Sequence, residues 1–358
     1  MARAPRMTAL RDIIIRQIAT LGPITIAEYM TTCLLHPQHG YYTTRDPLGT
    51  AGDFTTAPEI SQMFGEMLGL CIAQVWMDQG RPAPFTLAEL GAGRGTLMAD
   101  ILRATRAVPG FHDAARLHLV EASPVLRRMQ AQNLPDPQFH DSADTLPDAP
   151  LFVVANEFFD ALPVRQFLRV DTGWRERMVG VQDGQLAYGL GPVTALAALE
   201  HRLADTGPGQ MVETCAPAGA AIAALAQRIT QHGGIALIVD YGDWRSRGDT
   251  FQALRQHAQD DPLAHPGQAD LTAHVDFEAL ALAAPTLRAT ALTPQGVFLE
   301  RLGITQRAQT LANTLTGAAL QAHIAAHRRL THPQEMGHLF KALALYPETA
   351  PAPPGFGP

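Results

Sequence analysis

The sequence predicts an α/β protein: a doubly wound, mainly parallel sheet, preceded by a helical region and interrupted by an inserted antiparallel β segment with a helix. Three observations carry that expectation. Residues 85–90 form an apolar run that breaks into the alternating glycines Gly91, Gly93 and Gly95, after which Leu97, Ile101 and Leu102 recur at helical spacing. Further short apolar runs at 116–121, 151–155 and 233–240 lead into acids or amides, as suits strands buried on both faces. Between them, residues 164–191 alternate and turn at Thr172-Gly173 and Asp183-Gly184, the pattern of a three-stranded antiparallel meander.

Composition narrows the class. A chain of 358 residues, 46% hydrophobic, can build one large α/β core with elaborations or two domains. The net charge of -7 and the lack of a long basic stripe argue against a nucleic-acid partner. No apolar stretch reaches the roughly 18 residues of a bilayer span, so no membrane insertion is expected. Cys33, Cys71 and Cys215 are scattered and odd in number, which fits a reducing compartment and argues against disulfide or zinc frameworks; no metal site is expected. Lys341 is the only lysine, so there is no P-loop, and Schiff-base chemistry would have to use that one residue. Residues 1–6 are basic without a following apolar core, and a cytoplasmic location is expected.

Taken in order, the chain divides into an N-terminal helical and loop region covering the active site (1–84), the first half of the core (85–160), an insertion serving as a partner or substrate platform (161–231), the second half of the core (232–346) and a flexible Pro/Gly tail (347–358). Leu10, Ile13, Ile14 and Ile18 make one helical face, and Gly22-Pro23-Ile24-Thr25 starts a second helix. A loop-rich passage follows, dense in turn residues and aromatics. Within it Asp53, Thr55 and Thr56 precede a helix start and are candidates to line a cofactor mouth, the competing reading being a surface loop with caps. In the meander, Arg165, Arg169, Arg175 and Arg177 read as a solvated face. A helix is expected over 216–232, and two last strands near 286–292 and 336–345 flank a helical stretch over 307–330.

The glycine turn points to a particular cofactor. A dinucleotide fingerprint needs G-x-G-x-x-G to cradle a pyrophosphate. Here the third glycine comes one place early, at Gly95, and Thr96 holds the sixth position. Glu89, at the strand end, would repel a phosphate and attract a cation. S-adenosyl-L-methionine (SAM) carries a sulfonium and an ammonium and no phosphate, so Glu89, Gly91, Gly93 and Gly95 favour SAM over NAD. Glu121 ends the next apolar run, where a carboxylate can accept both ribose hydroxyls. Its other reading, as a neighbour of the Ser123-Pro124 helix start, is compatible with that role.

The run 151–155 ends in Asn156-Glu157-Phe158-Phe159-Asp160, on the ligand side of a parallel sheet by topology. Methyl transfer from a sulfonium is an in-line displacement, which asks the protein to position a nucleophile and exclude water. If the nucleophile is a guanidinium, a carboxylate pair can fix one nitrogen and polarise the other. Glu157 and Asp160 are the candidates, with Asn156 as an orienting group; the alternative is that they bond backbone in the turn and shape the pocket. His274, in a later loop rich in ionisable residues, is a candidate proton acceptor or a cap.

Five stretches together resemble the MidA family: His36-Pro-Gln-His-Gly-Tyr-Tyr42, the run 52–66, Glu89-Leu-Gly-Ala-Gly-Arg-Gly-Thr-Leu97, Asn156 to Pro163, and Leu271-Thr-Ala-His-Val-Asp-Phe277. The likeness covers about residues 8–346. It implies a Rossmann-like seven-stranded SAM-dependent methyltransferase fold with Glu89 to Gly95 as cofactor turn, Glu121 as acidic strand end and Asn156 to Asp160 beside the methyl group. It also implies a protein substrate, since the family's mitochondrial member makes symmetric dimethylarginine on a respiratory complex I subunit during assembly. Ala92 stands where proline is usual and Phe251 where leucine is, departures that bear on turn rigidity. The Arg-over-Lys bias suggests a bacterial, cytoplasmic protein; a eukaryotic one would work in the mitochondrial matrix. A SAM-binding assembly factor that only docks a partner, and an NAD-dependent oxidoreductase, are the other readings. The methyl acceptor, the degree of methylation and the oligomeric state, a homodimer included, stay open.

Overall fold

The computed structural model describes residues 9–44 and 56–357. They form two compact units. Of the described residues, one unit holds 56–160, 218–244 and 277–357, and the other 9–44, 161–217 and 245–276.

The first unit is the core sheet. Its strands are β1 (Phe85–Leu90), β2 (Ala115–Val120), β3 (Gln138–His140), β4 (Leu151–Asn156), β5 (Gly234–Asp243), β6 (Leu287–Ala289) and β7 (Phe340–Pro347). Across the sheet they run β3-β2-β1-β4-β5-β7-β6, with β7 reversed and the other neighbours on this path parallel. The doubly wound sheet expected from the apolar runs is therefore present, and β1 and β4 are buried along their whole length.

Two helices seat the turn after β1. Helix α1 (Gln62–Asp78) is capped by Ser61, whose Oγ accepts the Met63 N–H at 3.2 Å. Helix α2 (Thr96–Ala104) starts at Gly95, in a left-handed conformation with φ +83°. They cross closely because α1 presents glycines. A Cβ on Gly65 would lie 2.5 Å from Asp100 Cβ, and one on Gly69 3.0 Å from Ile101 Cα. Glu66 ties the same crossing together, bonded to Arg103 at 2.6 Å and to Arg307 at 2.7 and 2.9 Å.

The second unit draws on three distant stretches. Helix Ala9–Leu21 and helix Ile26–Leu35, the latter opened by a Thr25/Glu28 capping box, supply Leu10, Ile14, Tyr29 and Met30. Val164, Val179 and Leu186 come from the expected meander, and Phe251, Ala253 and Leu271 from residues 251–271; all share one apolar cluster. The meander forms as predicted, with strands Arg165–Val170, Gly173–Gln182 and Gln185–Thr194, and the sheet is completed by Ile24–Thr25 and Met211–Thr214. Its arginines are engaged rather than simply solvated. Arg165 pairs with Glu176 at 2.7 and 2.6 Å, and Arg177 reaches Asp249 at 2.6 Å while lying over Tyr188.

Several expected boundaries fall differently in the structure. Residues 56–84, expected in the N-terminal region, lie in the core unit, where helix α1 packs on α2, and residues 245–276, expected in the second half of the core, lie in the other unit, where Phe251, Ala253 and Leu271 join its apolar cluster. Helix Ala216–His232, assigned to the insertion, lies in the core unit from Ala218 on, because Ile222, Leu225 and Ile229 bury an apolar stripe. The closing Pro/Gly segment, expected as a flexible tail, is docked. Phe356 packs on Phe298 with ring centroids 4.9 Å apart and the rings tilted by 40°, and Cys71 Sγ lies 3.5 Å from the Pro354 carbonyl oxygen. One aromatic ring with a place to go outweighs the segment's poor average hydrophobicity. Among the described residues, no helix is long and apolar enough to cross a membrane.

Candidate functional site

The carboxyl ends of β1, β2, β4 and β5 carry Glu89, Glu121, Asn156 and Asp240, all buried. After β1 the chain turns through Gly91, Gly93 and Gly95 at φ +67°, +53° and +83°, conformations that glycine adopts without a steric penalty. Gly91 is also needed for space, since a Cβ there would stand 2.8 Å from Phe158 Cδ2.

Glu89 is the most unusual member. Its Oε2 is buried without a hydrogen-bond partner among the described residues. Burial, and then the nearby Glu121, push its carboxyl up to about 8 against the favourable Met98 N–H. An acid in that condition fits a cation, and it would be a poor neighbour for a pyrophosphate.

Glu121 is held in place on both oxygens. Oε1 accepts the Ser123 N–H at 2.8 Å and Oε2 accepts Gln130 Nε2 at 3.2 Å. Gln130 also donates to the Gly93 carbonyl at 2.8 Å, which joins the acidic strand end to the glycine turn. Burial raises the Glu121 carboxyl, and these bonds together with Arg127 oppose the rise. Sequence reasoning missed Gln130, because nothing in a polar helical position nine residues on marks it.

Beyond β4, Glu157 takes φ +51°. Its N–H donates to the Val239 carbonyl at 2.9 Å, and its Oε1 accepts the Ala57 N–H at 3.1 Å and Asn156 Nδ2 at 3.2 Å. The short helix Ala57–Ile60 also sends Glu59 to the cofactor turn, where it accepts Thr96 Oγ1 at 2.6 Å and lies 3.5 Å from Arg94. Glu59, too, was missed; it stands inside the quoted 52–66 stretch with no feature to separate it from a first-turn helix acid.

The expected site residues thus divide. Glu89, the three glycines, Glu121, Asn156, Glu157 and Asp160 lie in the core unit, as does Thr56, which precedes helix Ala57–Ile60 without a side-chain cap bond. His274 lies in the other unit, where its backbone N–H donates to Thr250 Oγ1 at 2.8 Å. Asp53 and Thr55 fall outside the described residues.

The profile of a family of S-adenosyl-L-methionine-dependent methyltransferases matches residues 67–295. The chain belongs to that family. The methyltransferase is 38% identical to the Drosophila melanogaster protein arginine methyltransferase NDUFAF7 homolog, mitochondrial, over 92% of this chain and 83% of that one. It is 37% identical to the Homo sapiens protein arginine methyltransferase NDUFAF7, mitochondrial, over 97% and 85%. A solved Burkholderia thailandensis COG1565 superfamily member bound to S-adenosyl-homocysteine superposes with a TM-score of 0.82 at 29% identity, covering 96% of this chain and 93% of that one. The methyltransferase therefore has a Rossmann-like fold of its family and uses SAM.

Proposed function

We propose that this methyltransferase acts on arginine side chains of a protein, making symmetric dimethylarginine on a respiratory complex I subunit and so supporting assembly of that complex. A bacterial member would do so in the cytoplasm, whereas the two arginine methyltransferases named above are mitochondrial. The observation that carries the reading is the pair of acids Glu157 and Asp160 at the end of β4, in a chain whose relatives bear the name protein arginine methyltransferase across nearly its whole length.

The residues divide the work as follows. Gly91, Gly93 and Gly95 let the backbone approach the cofactor, Glu89 meets its cationic amino-acid end, and Glu121 accepts the ribose hydroxyls, with Thr56 at the mouth. Bound SAM supplies an electrophilic methyl group on a sulfonium. Glu157 and Asp160 engage the acceptor guanidinium, fixing one nitrogen so that the other faces the methyl, and Asn156 orients Glu157. Removing the proton lost on methylation falls to these carboxylates.

The test uses purified protein, SAM labelled in its methyl group, and protein extract from cells lacking the gene. Label recovered as symmetric dimethylarginine supports the reading. Label on another residue type, or no transfer from a protein that binds SAM, overturns it; in the second case, function in cells that survives Glu157→Gln would identify a docking factor.

A further inference from the structure

Asp240 ends the buried stretch of β5 and is fully inaccessible to solvent. Its Oδ2 accepts three consecutive backbone N–H groups, from Phe158 at 3.2 Å, Phe159 at 3.0 Å and Asp160 at 3.3 Å. Its Oδ1 accepts the Tyr241 N–H at 2.9 Å. The row of three begins right after Glu157, whose left-handed φ of +51° is the conformation that turns successive N–H groups to one side and makes an anion-binding concavity. The chain supplies the anion itself.

That arrangement has a purpose that packing alone does not require. A buried carboxylate beside Asp160 and Glu157 is costly, and burial with those two acids pushes its carboxyl well up. Four N–H donors favour the ionised form against that push. An apolar residue could fill the same volume but could not order four donors or hold a glutamate in the left-handed region.

We infer that Asp240 is a positioning residue: its carboxylate holds the 157–160 turn in shape and thereby sets Glu157 and Asp160 for the acceptor. This rests on the reading that those two acids engage the acceptor.

The experiment is Asp240→Asn, an isosteric change. Both oxygens accept N–H groups, so whichever way the amide turns, its NH2 meets a donor. The expected result is a folded protein with SAM affinity, and KM for SAM, within threefold of wild type. The methyl-transfer rate into the extract at saturating SAM should fall by about 30-fold or more, and the amide resonances of Phe158, Phe159 and Asp160 should shift. A transfer rate within threefold of wild type overturns the inference, as does SAM affinity lost in step with activity, which would mean a general structural role. Should the variant not fold, amide hydrogen exchange on the wild-type protein decides: fast exchange at Phe158 to Asp160 overturns the inference, and strong protection of all three supports it. Glu157→Gln and Asp160→Asn separate the two claims. If both keep wild-type transfer, the functional reading falls; if both lose it while Asp240→Asn does not, the positioning role alone falls.

Discussion

The backbone N–H of Ala57 donates to Glu157 Oε1 at 3.1 Å, across one hundred positions of chain. With Asn156 Nδ2 on the same oxygen, this contact aims the carboxylate from two sides. Both donors would still be accepted by a carboxamide oxygen, so Glu157→Gln should leave the fold and SAM affinity almost unchanged. Loss of the charge should lower methyl transfer by about 10²- to 10⁴-fold, the range of acid-base and charge-positioning groups. Calorimetric SAM titration beside initial-rate measurement checks this, and loss of SAM binding in the variant would contradict it.

Glu89 gives the site a pH dependence. Its carboxyl stands at about 8 in the ligand-free protein, so it is mostly protonated at neutral pH and must ionise to meet a cation. SAM affinity should therefore rise with pH up to about 8 and level off above it, with a proton released on binding near pH 7. For stability the sign is opposite. A raised folded-state value means that the contribution is present below the ordinary glutamate range and is lost as pH rises through 8. Calorimetry in buffers of different ionisation enthalpy counts the proton, and Glu89→Gln should abolish both the release and the slope.

His118 and His140 supply the complementary acid limit. His118 Nδ1 and His140 Nε2 lie 2.8 Å apart between β2 and β3, a distance that allows one shared proton and disfavours two charges. Burial, and then His140, hold His118 down at about 4. Because this value is depressed below the ordinary 6.5, the pair's contribution is intact above 6.5 and is lost as pH falls toward 4. The midpoint of thermal unfolding should drop over that interval, and less steeply in His140→Gln. Equal slopes in the two proteins would assign the acid sensitivity elsewhere.

The docked carboxyl-terminal segment should be measurable in stability. Phe356→Ala removes one ring of a packed, tilted aromatic pair and uncovers Phe298, at a cost of about 1–3 kcal/mol. SAM affinity should stay put, since neither phenylalanine is among the residues proposed to bind it. Chemical denaturation of the variant reads the cost directly.

What could be read from the chain, and what could not, follows the range of the interactions. Strand ends were legible, because an apolar run that stops at Glu89, Glu121 or Asn156 announces both a buried strand and the polar residue at its mouth. Asp240 showed the same mark, but its partners are N–H groups that converge only once Glu157 goes left-handed, and backbone geometry of that kind leaves no residue pattern. Gln130 and Glu59 look like ordinary helix residues until tertiary structure brings the glycine turn to them. Periodicity found the meander and the first helices but gave no sign that Leu10, Val179 and Leu271 share a cluster.

That shared cluster has a consequence for biosynthesis. At the roughly 5–20 residues per second of a ribosome, Leu10 emerges on the order of ten seconds to a minute before Leu271. Until then the amino-terminal helices have only part of the apolar surface they finally bury, while β1 to β4 of the other unit are already outside the exit tunnel. Nascent chains arrested shortly after residue 217 should accordingly be captured by trigger-factor-type chaperones through their first 35 residues, and those arrested well past 276 should not.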